Sequence, residues 1–202
     1  MIAQPDAENR IMHSMLISPN ASNETRKRPG TVWVTGLSGA GKTTLSHALH
    51  KRMLAAGHPV LLLDGDEMRA ALNRDLGFSP EDRTENIRRA AEVAWLANRS
   101  GLWVVAAFIS PLRSQRQQAR EIIGGDAFLE VFLSASFAMC SQRDAKGLYA
   151  KASAGQISQF TGLSAPYEAP LAPDVEIDTE VVGPELAADW ICEALALRAS
   201  PA

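Results

Sequence analysis

Short apolar segments alternate with longer amphipathic ones along most of this 202-residue chain. The continuous apolar segments predict buried strands at residues 31–35, 59–63, 102–109, 128–133 and 175–177. Between the strands, apolar residues recur at helical spacing and predict helices over residues 42–56, 79–101, 113–123 and from 183 onward. Buried strands that alternate with helices are typical of a parallel sheet covered on both faces. The pattern therefore predicts an α/β fold, in which ligands lie beyond the carboxyl ends of the strands.

The two ends of this pattern set the expected domain boundaries. Residues 1–29 are polar and lack a regular apolar face, so we expect a flexible N-terminal extension before one domain at residues 30–202. The longest apolar run, residues 102–109, is far too short to span a bilayer, and the N-terminus lacks a secretory pattern. We therefore expect a cytoplasmic protein without a membrane partner.

Composition and charge narrow the classes of partner. The content of 46% hydrophobic and 21% charged residues is ordinary for a globular domain. A net charge of −3 provides no basic field, so we expect no nucleic-acid partner. Any anion site must therefore be a local concentration of positive charge.

A glycine-rich segment, GLSGAGKTT, follows the first predicted strand and opens the first predicted helix. It matches the pattern G-x-x-x-x-G-K-[ST], in which glycines let backbone N–H groups surround phosphates at the positive end of a helix. In this interpretation Lys42 reaches the β- and γ-phosphates and Thr43 supplies a hydroxyl to Mg2+. The alternative is a glycine-rich turn before an ordinary helix. The predicted nucleotide-binding residues are Gly36, Leu37, Ser38, Gly39, Ala40, Gly41, Lys42, Thr43 and Thr44.

Two carboxylates, Asp64 and Asp66, follow the second predicted strand and should emerge at the same edge of the sheet as the glycine-rich loop. One can hold Mg2+ directly or through water, and the other can accept a proton from a substrate hydroxyl. The alternative is an acidic turn, because Asp-Gly is a common turn dipeptide.

A second cluster of candidate residues follows the carboxylates. Arg83 and Asn86 lie three residues apart on one face of a predicted helix, and Arg69 precedes that helix. A guanidinium and an amide beside a second pocket suggest an anionic acceptor substrate. Phe78 would either stack on a planar ligand or pack against the start of the helix.

Three further features have two interpretations each. Arg88 and Arg89 could belong to the acceptor site or to a charged solvent face. Ser110 places a hydroxyl at the end of the third strand, although Ser-Pro is also a plain strand stop. Residues 143–162 combine glycines and cations without a strong core pattern, which is typical of a mobile lid over phosphates or of an ordinary surface loop.

Four motifs together resemble the adenylylsulfate kinase family over nearly all of residues 30–180. They are GLSGAGKTT, LDGDEMRAALNRDLGFSPEDRTENIRR, FISPLRSQR and RDAKGLYAKASAGQISQFTGLSAPYEAP. The first is shared with many nucleotide-binding proteins, whereas the other three are specific to the family. The resemblance implies a P-loop NTPase fold and transfer of the ATP γ-phosphoryl group to the 3′-hydroxyl of adenylyl sulfate, with Mg2+.

The resemblance also implies roles for individual residues. Lys42, Asp66 and Ser110 would be catalytic, with Asp66 as base or orienter at the acceptor hydroxyl, and Thr43, Asp64 and Asp66 would serve the metal. Arg143 would lie against ATP, and Phe78 and Phe160 would enclose the adenine of adenylyl sulfate. The acceptor-binding set is Asp66, Arg69, Phe78, Arg83, Asn86, Ile109, Ser110, Lys146 and Phe160.

Three further points follow from the comparison with the family. In bacterial members the serine that matches Ser110 is described as a phosphoserine intermediate; we favour direct in-line transfer, because the sequence offers Ser110 no evident partner base. A homodimer is implied, and an association with ATP sulfurylase is a further expectation. Glu67, Ala150 and Ser153 depart from the family pattern. The loss of cations at the last two positions would weaken phosphate binding or alter substrate inhibition, but it leaves the reaction assignment unchanged.

Two competing functions remain at this stage. The phosphate loop is equally compatible with a kinase for another small hydroxyl substrate, although Phe78 and Phe160 favour a nucleotide acceptor. A nucleotide-regulated binding subunit is the other possibility. The intact Lys42, Thr43, Asp64 and Asp66 argue against it.

Overall fold

A computed structural model describes residues 29–144, 147–157 and 159–198 of the chain. The five strands of this part form one sheet in which every neighbouring pair is parallel. In chain order the strands are β1 (Thr31–Thr35), β2 (Val60–Asp64), β3 (Trp103–Ala107), β4 (Phe128–Ser134) and β5 (Val175–Asp178). They are arranged as β2-β3-β1-β4-β5 across the sheet, so the end of β3 lies between the ends of β2 and β1.

Helices connect the strands. In chain order they are α1 (Lys42–Ala55), α2 (Gly65–Ala70), α3 (Pro80–Arg99), α4 (Arg113–Ile123), α5 (Phe137–Arg143), α6 (Leu148–Ser153) and α7 (Pro184–Arg198), with a short 3-10 turn at Gly125–Ala127. The start of α3 is as the sequence predicts: the Ser79 hydroxyl accepts a hydrogen bond from the Asp82 N–H, and Pro80 occupies the first turn.

The core lies on both faces of the sheet, because β1 is buried at every position. On one face Val32 and Val34 pack with the apolar sides of α1 and α7. On the other face Trp33 packs with α3 and α4 and stacks against Phe108 and Phe128. This two-sided burial confirms the predicted α/β class.

Some expectations need correction. Residues 65–70 form a helix that the strand-and-turn interpretation of Asp64-Gly65-Asp66 did not include. In α7 the buried face is formed by Ala187, Ala188 and Ile191, while Leu186 and Trp190 are 50% and 41% exposed. The large apolar side chains of this helix are thus not all on its packed side, and two alanines form part of the buried face instead. The expected flexible extension at residues 1–29 lies outside the described residues apart from Pro29.

No helix in the described part of the chain is both long and apolar enough to cross a membrane.

Candidate active site

The glycine-rich loop folds tightly between β1 and α1. Gly39 has φ 76°, a left-handed conformation, and a Cβ at this position would lie 2.7 Å from the carbonyl oxygen of Cys140. Gly41, with φ 94°, precedes the first residue of α1. The backbone can adopt this shape only with glycine at both positions, and it places the loop at the positive end of a 14-residue helix.

Lys42 and Thr43 extend from this helix start in two directions. The Lys42 Nζ donates to the carbonyl oxygens of Gly36 and Leu37, at 3.0 and 2.6 Å, so the ammonium lies over its own loop. The Thr43 hydroxyl donates to Asp64 Oδ2 at 2.9 Å. The ammonium and the hydroxyl are therefore both held at the loop, where a triphosphate would be recognised.

Asp64 joins the loop to the end of β2. Its Oδ1 accepts a hydrogen bond from the Asp66 N–H at 2.9 Å, which caps the N-terminus of α2. Asp64 is buried, whereas Asp66, the second residue of α2, is exposed. The sequence-predicted pair is thus divided, with one carboxylate against the Thr43 hydroxyl and the other facing solvent at the start of a helix.

These oxygen ligands fit Mg2+. The ion prefers oxygen ligands and keeps several waters, so it needs only one or two protein groups together with substrate phosphates. In the described part of the chain, no group of three or more His, Cys, Asp or Glu is placed to hold a metal ion.

Residues distant in sequence support the phosphate loop from behind. The Tyr149 hydroxyl donates to the Ser38 carbonyl oxygen at 2.8 Å, and the Thr179 hydroxyl donates to that of Ala40 at 3.0 Å. Arg143 donates to the hydroxyl and carbonyl oxygens of Thr179, at 3.0 and 2.6 Å. Arg143 therefore contacts the loop only through Thr179, and its predicted role against ATP stays a prediction.

The acceptor-side candidates form a second group around Phe78, whose side chain is 64% exposed. Arg69 donates to the Gly77 carbonyl oxygen at 2.6 Å, and its guanidinium lies 4.6 Å from the centre of the Phe78 ring. Arg83 donates to the Phe78 carbonyl oxygen at 2.9 Å and reaches across to the Thr161 hydroxyl at 2.9 Å and the Gln159 carbonyl at 2.7 Å. Arg83 thus connects the Phe78 loop with the segment that contains Phe160.

The two guanidiniums make this group locally positive. Burial lowers the pKa of Arg69, and the charge of Arg83 lowers it further. Burial also lowers the pKa of Arg83. Their hydrogen bonds described above go to carbonyl and hydroxyl oxygens, and the carboxylates of Asp82 and Asp66 partly offset the charge of Arg69. Two guanidiniums beside one exposed aromatic ring are compatible with an anionic acceptor.

Asn86 is buried beside a second asparagine that the sequence did not single out for a role. The Asn73 side-chain amide donates to Asn86 Oδ1 at 2.9 Å, and Asn73 is fully buried. Asn86 itself is 5% exposed and takes part in this bond through its side-chain oxygen. Sequence spacing could not reveal the pair, since the two residues are 13 positions apart on different elements.

Ser110 occupies a strained and enclosed position at the end of β3. Its φ is 37°, which costs a non-glycine residue on the order of 1–3 kcal/mol. Its buried hydroxyl accepts a hydrogen bond from Trp33 Nε1 at 3.1 Å and donates to the Thr35 hydroxyl at 3.1 Å. The half-buried Ile109 accepts from the same Thr35 hydroxyl at 2.7 Å. The side-chain partners of the Ser110 hydroxyl are thus an indole N–H and a threonine hydroxyl, neither of which acts as a base. The catalytic role of Ser110 stays a prediction.

Part of residues 143–162, which the sequence suggested to be a lid or a surface loop, is packed into the core. Tyr149 and Ala152 of α6 are buried, and Phe160 is 7% exposed with its ring centre 4.8 Å from that of Tyr149. These residues belong to the core, although the sequence showed no strong core pattern there. The signal was weak because the buried residues are few and irregularly spaced. Lys146 lies outside the described residues.

A parallel sheet with a glycine-rich phosphate loop between β1 and α1 defines the P-loop NTPase fold. Within that class, the profile of the adenylylsulphate kinase family matches residues 28–178, and the chain belongs to this family.

Individual relatives agree with this assignment. An adenylyl-sulfate kinase from Paraburkholderia xenovorans is 56% identical over 153 residues, which cover 76% of this chain and 85% of the relative. An adenylyl-sulfate kinase from Vibrio vulnificus is 45% identical over 199 residues, covering 98% and 96%. The structure of the Mycobacterium tuberculosis APS kinase CysC in complex with AMPPNP and APS has a TM-score of 0.80 and 42% identity, and the match covers 84% of this chain and 98% of that one.

Proposed function

We propose that this protein phosphorylates the 3′-hydroxyl of adenylyl sulfate with ATP and releases ADP and 3′-phosphoadenylyl sulfate. The observation that carries the proposal is the arrangement along one sheet edge. The phosphate loop follows β1 on one side of β3, and on the other side β2 leads through α2 to an exposed Phe78 ring flanked by Arg69 and Arg83. A triphosphate suits the first, and a planar base that carries an anion suits the second.

In this proposal Lys42 leaves the carbonyl oxygens of its own loop and binds the β- and γ-phosphates of ATP. Thr43 and Asp64 would hold Mg2+, which when bound neutralises charge on the phosphate oxygens. Arg143 supports the nucleotide side through Thr179. The nine residues from Gly36 to Thr44 then form the donor site.

The transfer itself is an in-line displacement. The 3′-oxygen of the acceptor forms a bond to the γ-phosphorus, and the bond from that phosphorus to the β,γ-bridging oxygen breaks, leaving its electron pair on ADP. Asp66, exposed at the start of α2, accepts or orients the proton of the attacking hydroxyl. Ser110 and Ile109 form the floor of the acceptor site, with Asn86 and Lys146 completing it; Phe160, which is packed in the core, would support the site from behind. The phosphoryl group passes directly between the substrates, because the Ser110 hydroxyl is buried and already hydrogen-bonded.

The assembly in which this occurs remains part of the proposal. We expect a homodimer in the cytoplasm that acts in sulfate assimilation and is able to associate with ATP sulfurylase, which would supply the acceptor.

The test is release of ADP from ATP and Mg2+, measured with and without adenylyl sulfate. We expect release to depend on adenylyl sulfate and to disappear in Lys42→Ala. Release that instead required another hydroxyl compound would favour the other small-molecule kinases. Tight nucleotide binding without turnover of any acceptor would favour a nucleotide-regulated binding subunit.

A further inference from the structure

Arg116 is a buried guanidinium that the sequence left without a role. It lies in the first turn of α4 and is 3% exposed. A charged side chain is rarely buried to this extent unless its hydrogen-bonding groups are satisfied, so its partners show what it does in the fold.

The guanidinium connects three separate segments. Its Nη1 donates to the Ser110 carbonyl oxygen at 2.7 Å, its Nη2 donates to the Glu168 carbonyl oxygen at 2.7 Å, and its Nε donates to Glu130 Oε1 at 2.8 Å. Ser110 follows β3, Glu168 follows the segment with Phe160, and Glu130 belongs to β4. Because the fork is planar and rigid, these bonds fix the three segments at one spacing.

A second set of contacts ties the same segments to β1. Tyr167 lies beside the Arg116 guanidinium, 5.9 Å from its ring centre, and its hydroxyl is 3.1 Å from the Thr35 hydroxyl. Thr35 in turn contacts Ser110 and Ile109. Thr35 is the residue directly before the phosphate loop, so the network ends where the donor site begins.

The carboxylate and the carbonyl bonds have different consequences. Glu130 neutralises the guanidinium, which removes the cost of an unpaired buried charge. The two carbonyl bonds instead hold Ser110 in its left-handed conformation, φ 37°, and hold the chain after Phe160 beside it. The same two segments are also joined by the Glu168 N–H, which donates to the Pro111 carbonyl oxygen at 2.8 Å, and by Arg113, which donates to Glu168 Oε2 and to the Ala169 carbonyl oxygen. Loss of the Arg116 bonds would therefore loosen Ser110 and the acceptor side without separating the two segments, and would leave the phosphate loop in place.

We infer that Arg116 is a positioning residue for the acceptor. It acts through the Ser110 and Glu168 carbonyl groups and sets the distance between the floor of the acceptor site, at Ile109 and Ser110, and the segment around Glu168. This inference rests on the proposed function, because that function assigns Ile109 and Ser110 to the acceptor.

The first experiment compares Arg116→Lys with Arg120→Lys. Arg120 lies one turn further along the same helix and pairs with Asp174 and Glu130, but contacts neither carbonyl group. A lysine retains the charge opposite Glu130 and loses the fork. We expect Arg116→Lys to raise the KM for adenylyl sulfate about tenfold and the KM for ATP less than about threefold, and Arg120→Lys to change neither. Equal effects on both substrates, or an unchanged acceptor KM in the folded protein, would overturn the inference.

A second variant guards against a failure to fold. In Arg116→Met combined with Glu130→Leu, both buried charges are removed together, so no unpaired charge remains in the core. We expect this protein to keep a melting temperature near that of the wild type and still to show the raised acceptor KM. A normal acceptor KM in this stable variant would contradict a positioning role.

A measurement without any ligand separates this inference from the proposed function. Hydrogen–deuterium exchange of the free protein should become faster at residues 108–112 and 165–169 in Arg116→Lys, and should be unchanged at residues 36–44. If the wild type does not turn over adenylyl sulfate, the proposed function fails, and the exchange result still decides whether Arg116 fixes these two segments. Unchanged exchange at both residues 108–112 and residues 165–169 in Arg116→Lys would refute the positioning role, whatever the substrate is.

Discussion

The phosphate loop takes its shape mainly from residues close together in the sequence, whereas the region around Phe78 depends on contacts between distant ones. Lys42 bonds to carbonyl groups five and six residues away, and Thr43 bonds to Asp64, 21 residues away. Arg83, by contrast, reaches groups 76 and 78 residues away. The side chains of Lys42 and Thr43 are therefore held by short-range contacts, although Tyr149 and Thr179 support the loop from behind, whereas Arg83 on the acceptor side depends on long-range contacts alone for its reach to Gln159 and Thr161.

This difference indicates how the two sides should respond to substitution. A change in the phosphate loop removes interactions that a triphosphate makes directly, and should lower kcat. A change among the arginines that hold the acceptor side should act on acceptor affinity and leave the ATP dependence nearly constant.

The largest effect is expected at the donor side, from Lys42→Ala. The ammonium is bonded to carbonyl groups of its own loop and is not part of the core, so the variant should fold. We expect kcat to fall by about 100- to 1,000-fold, because a charge that stabilises the transferring phosphoryl group is lost. The measurements are steady-state ADP release and a melting curve. Near-normal turnover by the folded variant would remove the basis for the phosphate-loop assignment.

Asp66→Asn should come next, with a fall in kcat of about 100-fold and little change in ATP affinity. The amide has the shape of the carboxylate but does not accept a proton. Asp64→Asn is the matched comparison, since Asp64 contacts Thr43 and should alter the Mg2+ dependence instead. A fall of less than about tenfold in Asp66→Asn would move the base role elsewhere, with Asp64 the next candidate.

Phe78→Ala tests acceptor recognition directly. Stacking of a base on an aromatic side chain is worth about 1–3 kcal/mol, so we expect the KM for adenylyl sulfate to rise roughly ten- to a hundredfold with little change for ATP. The melting temperature should hardly move, because the ring is 64% exposed.

Phe160→Ala provides the contrast with Phe78→Ala. Phe160 is packed against Tyr149 in the core, and truncation should lower the free energy of unfolding by about 3–5 kcal/mol. A loss confined to ATP in Phe78→Ala, or a fall in its melting temperature with acceptor affinity preserved, would return Phe78 to a structural role.

The smallest effect concerns the ion pairs that hold the loop before Phe78. Arg89 binds both carboxylate oxygens of Asp75 and also Glu85, and hydrogen bonds from Arg88 and Arg89 lower the pKa of Glu85 to about 2. Because the folded-state pKa is the lower one, this stabilisation is present above about pH 4.5 and is lost as the pH falls towards 2.

The stabilisation from the Glu85 ion pairs should be about 1 kcal/mol or less, since these pairs are partly exposed and screened by solvent. Melting curves between pH 3 and 6 should therefore fall about 2–4 °C less in Glu85→Gln than in the wild type. Identical pH dependence in the two proteins would mean that these ion pairs do not stabilise the loop.

How far the site could be predicted depends on the range of the contacts involved. The phosphate loop, Thr43 and the carboxylates after β2 follow from a strand, a glycine spacing and a helix start, all within a few residues. The carbonyl contacts of Arg116 and the Asn73–Asn86 bond could not be predicted, because no local pattern records which distant group a buried polar side chain will meet. Phe160 is a similar case: an isolated aromatic residue in an irregular segment carries no period that would identify it as core.

The apolar pattern alone was sufficient for the class of fold, since continuous buried strands separated by helices have few other solutions than a covered parallel sheet. The order of the strands was decided only in three dimensions, and with it the position of the end of β3 between the phosphate loop and Asp64. The same holds for Ser110: its sequence position predicts a hydroxyl at the catalytic edge, but Trp33, Thr35 and Arg116 determine its conformation and burial. Local steric and hydrogen-bonding preferences act along the chain, whereas the pairing of buried polar groups is settled by packing, which brings together partners that are distant in the sequence.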